Sequence, residues 1–283
     1  MNHTLSQWPT RHLFDVRIDA VTTNDVLDAV DHAIAARRRL LITVLNAAKT
    51  IHIERDEGLR RAVVGADLIL ADGMSIVWAC RLLRMPLPER VTGIDLMSRM
   101  LDRAHHHSYR LYLLGAKEEV LAQVRRRIER DYPGIIIAGA RNGYYNPADE
   151  ESIADDVSKS KPDILLVGMS SPRKEKFIAQ WGRVMGVPVC HGVGGAFDVL
   201  AGKVHRAPRI IQRLGLEWAY RAAQEPRRLL PRYLETNTLF AWKVLNEAVR
   251  RTVRYTVSPV KQSVAFMRGL EFEWADGEID SIR

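Results

Sequence analysis

Cysteine is nearly absent from this chain: Cys80 and Cys190 are the two in 283 residues. Two thiols so far apart make neither a disulfide framework nor the paired spacing of a zinc site. Each sits in an apolar pattern, as buried, inert thiols do, and a reducing cytosol fits them. Long hydrophobic runs are missing as well. No apolar stretch approaches about 18 residues, so no segment reads as a membrane-crossing helix. Met1–Pro9 has no apolar core behind a basic start, so no secretory leader is expected. There is no early Gly-x-Gly-x-x-Gly, no Walker A sequence, no His-Glu-x-x-His and no Asp-x-Asp on a plausible catalytic loop. These gaps weigh against a dinucleotide oxidoreductase, a nucleoside triphosphatase and a zinc hydrolase. His105, His106 and His107 are adjacent and point in different directions on a helix, so they read as a polar face. No metal or other cofactor is expected.

The chain does carry a core and a charge bias. A 47% hydrophobic fraction beside 27% charged residues is ordinary for a folded domain. The formal charge of +8 favours anionic partners: nucleic acid, phosphorylated metabolites or an anionic bilayer. The excess is uneven. Basic residues are dense from Lys203 to Arg254, whereas Glu271, Glu273, Asp276, Glu278 and Asp280 make the end acidic. Clustering of this kind points to a localised binding surface. A basic nucleic-acid-binding protein is the rival reading, but no helix-turn-helix, RNP or zinc-finger pattern supports it.

Short apolar runs alternate with amphipathic stretches. Strands are expected at 40–45, 67–71, 110–114, 135–138, 163–167 and 187–191. They are nearly continuous in apolar residues, as strands covered on both faces are. Helices are expected over 23–37, 48–64, 74–83, 94–105, 118–131, 147–158 and 172–185. The rhythm predicts an α/β fold: a Rossmann-like parallel sheet flanked by helices. From Pro208 the pattern is helical only, over 209–223, 226–234 and 239–255, with breaks at Pro226 and near Asn237. Residues 1–207 are thus expected to form the Rossmann-like domain and 208–267 a helical C-terminal appendage. Residues 268–283 are expected to be an acidic, disordered tail.

Ligands of such sheets sit beyond the carboxyl edge. Six expected strand ends carry small or polar residues there: Asn46, Asp72-Gly73, Gly115, Asn142-Gly143, Gly168 and Gly192. Asp72 reads either as a general base or as a helix cap. Asn46 reads either as a sugar-hydroxyl partner or as a cap. Thr92 in VTGIDL opens another helix. Residues 168–176, GMSSPRKEK, place Ser170, Ser171, Arg173, Lys174 and Glu175 at a helix start whose backbone N–H groups suit phosphate. Gly194 and Gly195 form a second glycine-rich turn. Beyond it Arg206, Arg209, Arg213, Arg221, Arg227 and Arg228 interleave with Trp218, Tyr220 and leucines. Arginine binds phosphate bidentately and tolerates an interface. Cationic and greasy together match a lipid-linked diphosphate.

The blocks VLNAAK, LILADGMSIVWA, RVTGIDL, LYLLGAKEEV, NGYY, ILLVGMSSPRKEKF, GVGGAFDVLAGKVHRAP and LGLEWAYRAAQEPRRLLPRYL follow one another between Phe14 and Leu234. In order and spacing they resemble the WecG/TagA/CpsF glycosyltransferases, glycosyltransferase family 26. The resemblance implies transfer of a sugar, with inversion and without metal, from a nucleotide donor, usually UDP-linked. The acceptor it implies is a polyprenyl-diphosphate-linked sugar, in the making of a bacterial cell-surface polysaccharide. It implies a peripheral position on the inner face of the plasma membrane, with the appendage docking on the anionic surface. Asp72 matches the family's proposed general base, Asn46 its pocket asparagine, and Arg206–Arg232 its diphosphate-holding arginines. Two departures stand out. Lys174 replaces the glutamine of the family's usual Pro-Lys/Arg-Gln-Glu, and the turn at Gly115 has one glycine where a pair is usual.

Overall fold

The computed structural model describes residues 8–272, with side chains through residue 252 except that of Arg228. A six-stranded, all-parallel sheet forms the centre, in the order β4-β3-β8-β7-β5-β6. The strands are β3 (Leu40–Leu45), β4 (Leu68–Ala71), β5 (Arg110–Gly115), β6 (Ile136–Arg141), β7 (Ile164–Gly168) and β8 (Val189–Gly192). Helices cover both faces, which is why LLITVL of β3 is buried at every position. The expected α/β fold is the observed one, and all six expected strands are present.

The first helices are α1 (Thr23–Ala35), α2 (Ala47–Arg55), α3 (Glu57–Val64), α4 (Met74–Leu82), α5 (Gly93–His107) and α6 (Glu118–Asp131). Next come a short 3₁₀ turn (Pro147–Asp149), α7 (Glu150–Ser160), α8 (Arg173–Met185) and α9 (Ala196–Leu200). The run expected as one helix over 48–64 is two. Asp56 ends α2 and caps α3, its carboxylate accepting from the Leu59 amide at 3.0 Å. A local side-chain acceptor at that point outcompetes helix continuation.

Two elements carry no sequence signal. One is α9; the other is a hairpin of β1 (Thr10–Leu13) and β2 (Val16–Asp19). Its turn residues Phe14 and Asp15 both have positive φ (50° and 62°), which suits a two-residue hairpin loop without its usual Asn-Gly. The hairpin is tied to the sheet edge. Asp19 accepts from the Ile69 amide of β4 at 2.7 Å, and Arg17 donates to the Ala66 and Asp67 carbonyls. An edge strand that would expose free N–H groups is thereby blunted.

The helical end consists of α10 (Arg209–Arg213), α11 (Glu217–Gln224) and α12 (Pro226–Phe272). The helix expected over 209–223 is broken at Gly215, whose φ is +68°. The break expected near Asn237 does not occur. Thr236 is buried, with its hydroxyl donating to the Arg232 carbonyl at 2.8 Å, and Phe240 packs edge-on to Phe14. These contacts hold the helix where propensity alone hints at a stop. By compactness the chain divides after Phe240, with a second unit from Ala241. Because α12 continues through Phe272, the tail expected from residue 268 begins inside the helix, and 273–283 lie outside the described residues. Among the described residues no helix is long and apolar enough to cross a membrane.

Candidate functional site

Asp72 directly follows β4. Its amide donates to the Leu45 carbonyl at 2.8 Å, which sets it beside Asn46 at the end of β3. Asn46 caps α2, its Oδ1 accepting from the Lys49 amide at 3.0 Å, and it also hydrogen-bonds the Asp72 carboxyl. Capping and contact with Asp72 are therefore both present. Asp72 itself caps nothing. Gly73 is the N-cap of α4 and no side chain bonds there. The Asp72 side chain is half-buried. Burial raises its pKa above the ordinary carboxylate value; the Asn46 bond and the Lys49 and Arg90 charges oppose that rise without cancelling it.

Beneath this edge lies a buried ionic cluster. Lys49 of α2 and Lys174 of α8 both reach Glu175 Oε1, at 2.7 and 2.8 Å. The Lys49 and Glu175 side chains are each only 4% exposed. Burial alone would raise the Glu175 carboxyl, but the two ammonium groups outweigh it and hold the pKa at about 2. Burial and the Lys49 charge pull Lys174 down to about 8, against the attraction of Glu175. Lys174 and Glu175 are thus paired inside the fold, with Lys174 running along the backbone at Gly192.

Thr92 is buried and caps α5. It accepts from the Asp95 amide at 3.1 Å and donates to the Asp95 carboxylate at 2.6 Å. Asp95 in turn holds Arg206 through both carboxylate oxygens, at 2.7 Å each. The Arg206 Nε also lies 3.8 Å from Glu217, and Arg90 pairs with Glu217 at 2.5 Å. Thr92 and Arg206 therefore serve to tie α11 down over the sheet edge. Arg221, one turn beyond Glu217, lies against the turn after β8: a Cβ on Gly195 would meet its Nη2 at 2.2 Å. Helix α11 accordingly carries Glu217, whose charge acts on Asp72, and Arg221, which lies at the glycine turn after β8. Arg209, Arg213 and Arg227 are exposed, and the side chain of Arg228 lies outside the described residues.

The other half of the edge is separate. Gly115, at φ +138°, packs so closely that a Cβ would come within 2.5 Å of the Gly168 backbone. Ser170 is exposed and Ser171 half-buried, after which a cis Ser171–Pro172 bond leads into α8. The Lys174 amide already donates to the Ser170 carbonyl at 3.2 Å, so the phosphate cradle expected there has fewer free donors than the sequence implies. Arg173 is engaged too. It donates to the Gly143 and Tyr145 carbonyls at 2.9 Å each and stacks on the Tyr145 ring. With Tyr144, Asn142 and Asp149 it lines a cleft of about 610 Å³ beyond β6, at the opposite end of the sheet from Asp72. Among the described residues no three His, Cys, Asp or Glu side chains come together as a metal site.

Lys49, Arg90 and Glu217 join the site as well; they stand in the blocks VLNAAK, RVTGIDL and LGLEW, but the sequence gives none of them a role there. Lys49 carries a further local sign, a lysine among the apolar residues of α2. Arg90 and Glu217 are brought to Asp72 by tertiary structure alone.

Residues 11–254 match the model of the glycosyl transferase WecG/TagA/CpsF family. A relative from Bacillus spizizenii, named N-acetylglucosaminyldiphosphoundecaprenol N-acetyl-beta-D-mannosaminyltransferase, is 39% identical over 174 residues, covering 60% of this chain and 67% of its own. The parallel sheet, the acidic strand end and the arginine-bearing helices thus belong to a glycosyltransferase, and the chain is a member of the WecG/TagA/CpsF family.

Proposed function

We propose that this glycosyltransferase moves a sugar from a nucleotide donor, with UDP the first candidate, to a polyprenyl-diphosphate-linked sugar, with inversion and without a metal ion. The observation that carries the reading is the Asp72 carboxyl: half-buried, free of any capping role, bonded to Asn46, and acted on by the charge of Glu217 from the helix that also carries Arg221. Asp72 takes the proton from the acceptor hydroxyl as that oxygen attacks the anomeric carbon from the face opposite the leaving diphosphate. Charge develops on that diphosphate. Arg221, the backbone N–H groups of the Gly194-Gly195 turn and the Ser170-Ser171 loop are its proposed partners, with Arg227 for the acceptor diphosphate. The tyrosine-lined cleft beyond β6 offers space for the nucleoside end of the donor. The printed activity of the 39%-identical relative supports a lipid-diphosphate acceptor. Exposed Trp242, Leu245 and Val249 on α12, among basic residues, support docking on the anionic inner face of the plasma membrane and a role in cell-envelope polysaccharide synthesis.

The test is a panel of nucleotide sugars offered with polyprenyl-diphosphate-linked acceptors in EDTA, with products read by mass and anomeric configuration by NMR. Transfer with inverted configuration is expected for one donor. Retention of configuration, or turnover only after metal is restored, would refute the mechanism.

A further inference from the structure

Trp78 and Leu82 of α4 stand four residues apart, on one helix face, and are 50% and 55% exposed. The end of α10 brings a second apolar pair to them. Gly215 packs so close to α4 that a Cβ would meet the Trp78 ring at 2.5 Å and Met74 at 2.8 Å. Leu214 immediately precedes it, and Ile210 lies one turn earlier; they are 57% and 72% exposed. Large apolar side chains clustered at a surface mark an interaction site. The border is cationic. Arg81, Arg84, Arg209 and Arg213 are all exposed, and among the described residues none of them has a carboxylate partner. Tryptophan and leucine fringed by unpaired arginine are complementary to a bilayer interface: rings and aliphatic chains enter the headgroup boundary, and guanidinium groups meet lipid phosphate. The surface also starts at the chemistry, since α4 begins two residues after Asp72.

We infer that this face of the first unit, separately from α12, docks on an anionic bilayer, with Trp78, Leu82, Ile210 and Leu214 entering the interface. The inference rests on the reading that the acceptor is lipid-borne. It assigns Arg209 and Arg213 to lipid headgroups instead of the acceptor diphosphate. It also explains how a water-exposed sheet edge meets a sugar tethered to a membrane: the α4 face turns the Asp72 edge toward the lipid surface.

The test uses the full chain with an environment-sensitive fluorophore on Leu82→Cys, or on Leu245→Cys as a control in α12. Native Cys80 and Cys190 are buried and leave the label to the new site. On vesicles of phosphatidylcholine with about one third phosphatidylglycerol, the label at 82 is expected to shift to the blue and brighten. The double variant Arg81→Gln, Arg84→Gln is expected to weaken partitioning about fivefold per arginine while sparing transfer to a short, water-soluble acceptor diphosphate. A shift at 245 with none at 82 would overturn the inference and leave the proposed function standing. Silence at both positions would overturn the inference and the membrane part of that function together. A shift at 82 that rises with protein concentration in the absence of vesicles, with doubled mass in solution, would assign the face to a second copy and overturn it as well.

Discussion

Glu175→Gln removes the lone acid from a buried cluster that holds two ammonium groups. The wild-type carboxyl ionises near pH 2, against about 4.3 for a free glutamate. A depressed acid contributes stability at pH above its unfolded value and loses it as pH falls through the folded value. At pH 7 the whole contribution, about 3 kcal/mol, is therefore present and is lost in the variant. Breaking a buried pair by deleting one partner costs about 3–5 kcal/mol, which agrees. For a unit of this size that is a fall in Tm of roughly 6–12 °C. The pH dependence is the sharper signature. Lys174 already titrates near 8 with Glu175 in place, and without that anion its pKa falls further. A depressed lysine costs stability while it is charged, and the cost is relieved as pH rises through its folded pKa. The Tm gap between wild type and variant should thus narrow between pH 6.5 and pH 9, as followed by circular dichroism. Lys174→Gln, which leaves Lys49 and Glu175 as a one-to-one pair, should keep or raise the wild-type Tm. Equal losses in both variants, or a gap indifferent to pH, would refute the charge argument in favour of simple packing.

Gly195→Ala drives a methyl into the Arg221 guanidinium, which can swing away; KM for the donor should rise about tenfold while Tm moves by less than about 3 °C, and an unchanged KM would remove Arg221 from the diphosphate site. Ending the chain after Phe240 keeps the contact with Phe14 and the first unit; flotation with anionic vesicles should weaken while transfer to a water-soluble acceptor persists. Burial raises the Asp72 pKa, so the acid limb of kcat/KM should lie above the ordinary carboxylate value of about 3.9, and Asn46→Ala, by deleting a bond that favours the charged form, should move that limb higher. A limb at or below that value would exclude Asp72 as the group being titrated.

The parallel sheet was readable because its strands are buried on both faces, so runs such as LLITVL and ILLV stand out without alternation. The strand ends were readable for the same reason: a polar or small residue after such a run, as at Asn46 and Asp72, has few other places to be. Side-chain roles were less legible. Thr92 and Arg206 look like ligand groups in one dimension, yet Asp95 occupies both, reaching Arg206 across 111 residues of sequence. Arg173 looks like a phosphate arginine, yet two backbone carbonyls take its donors. Lys49 and Glu217 gain their meaning only from ion pairs made with residues far away in the chain. The β1–β2 hairpin is silent in the sequence because Phe14 and Asp15 adopt positive φ without the glycine or asparagine that announces such a turn.

Asp72→Asn tests the central claim most directly, in single-turnover transfer at saturating donor with donor binding measured in parallel. The carboxamide keeps the shape and a bond to Asn46 but accepts no proton. The account predicts unaltered donor affinity, a transfer rate lower by about two to four orders of magnitude, and a Tm at pH 7 equal to or above wild type, because a carboxyl with a raised pKa destabilises the fold once it ionises. Near-normal transfer with normal donor binding would contradict it and leave the β4 edge without its base.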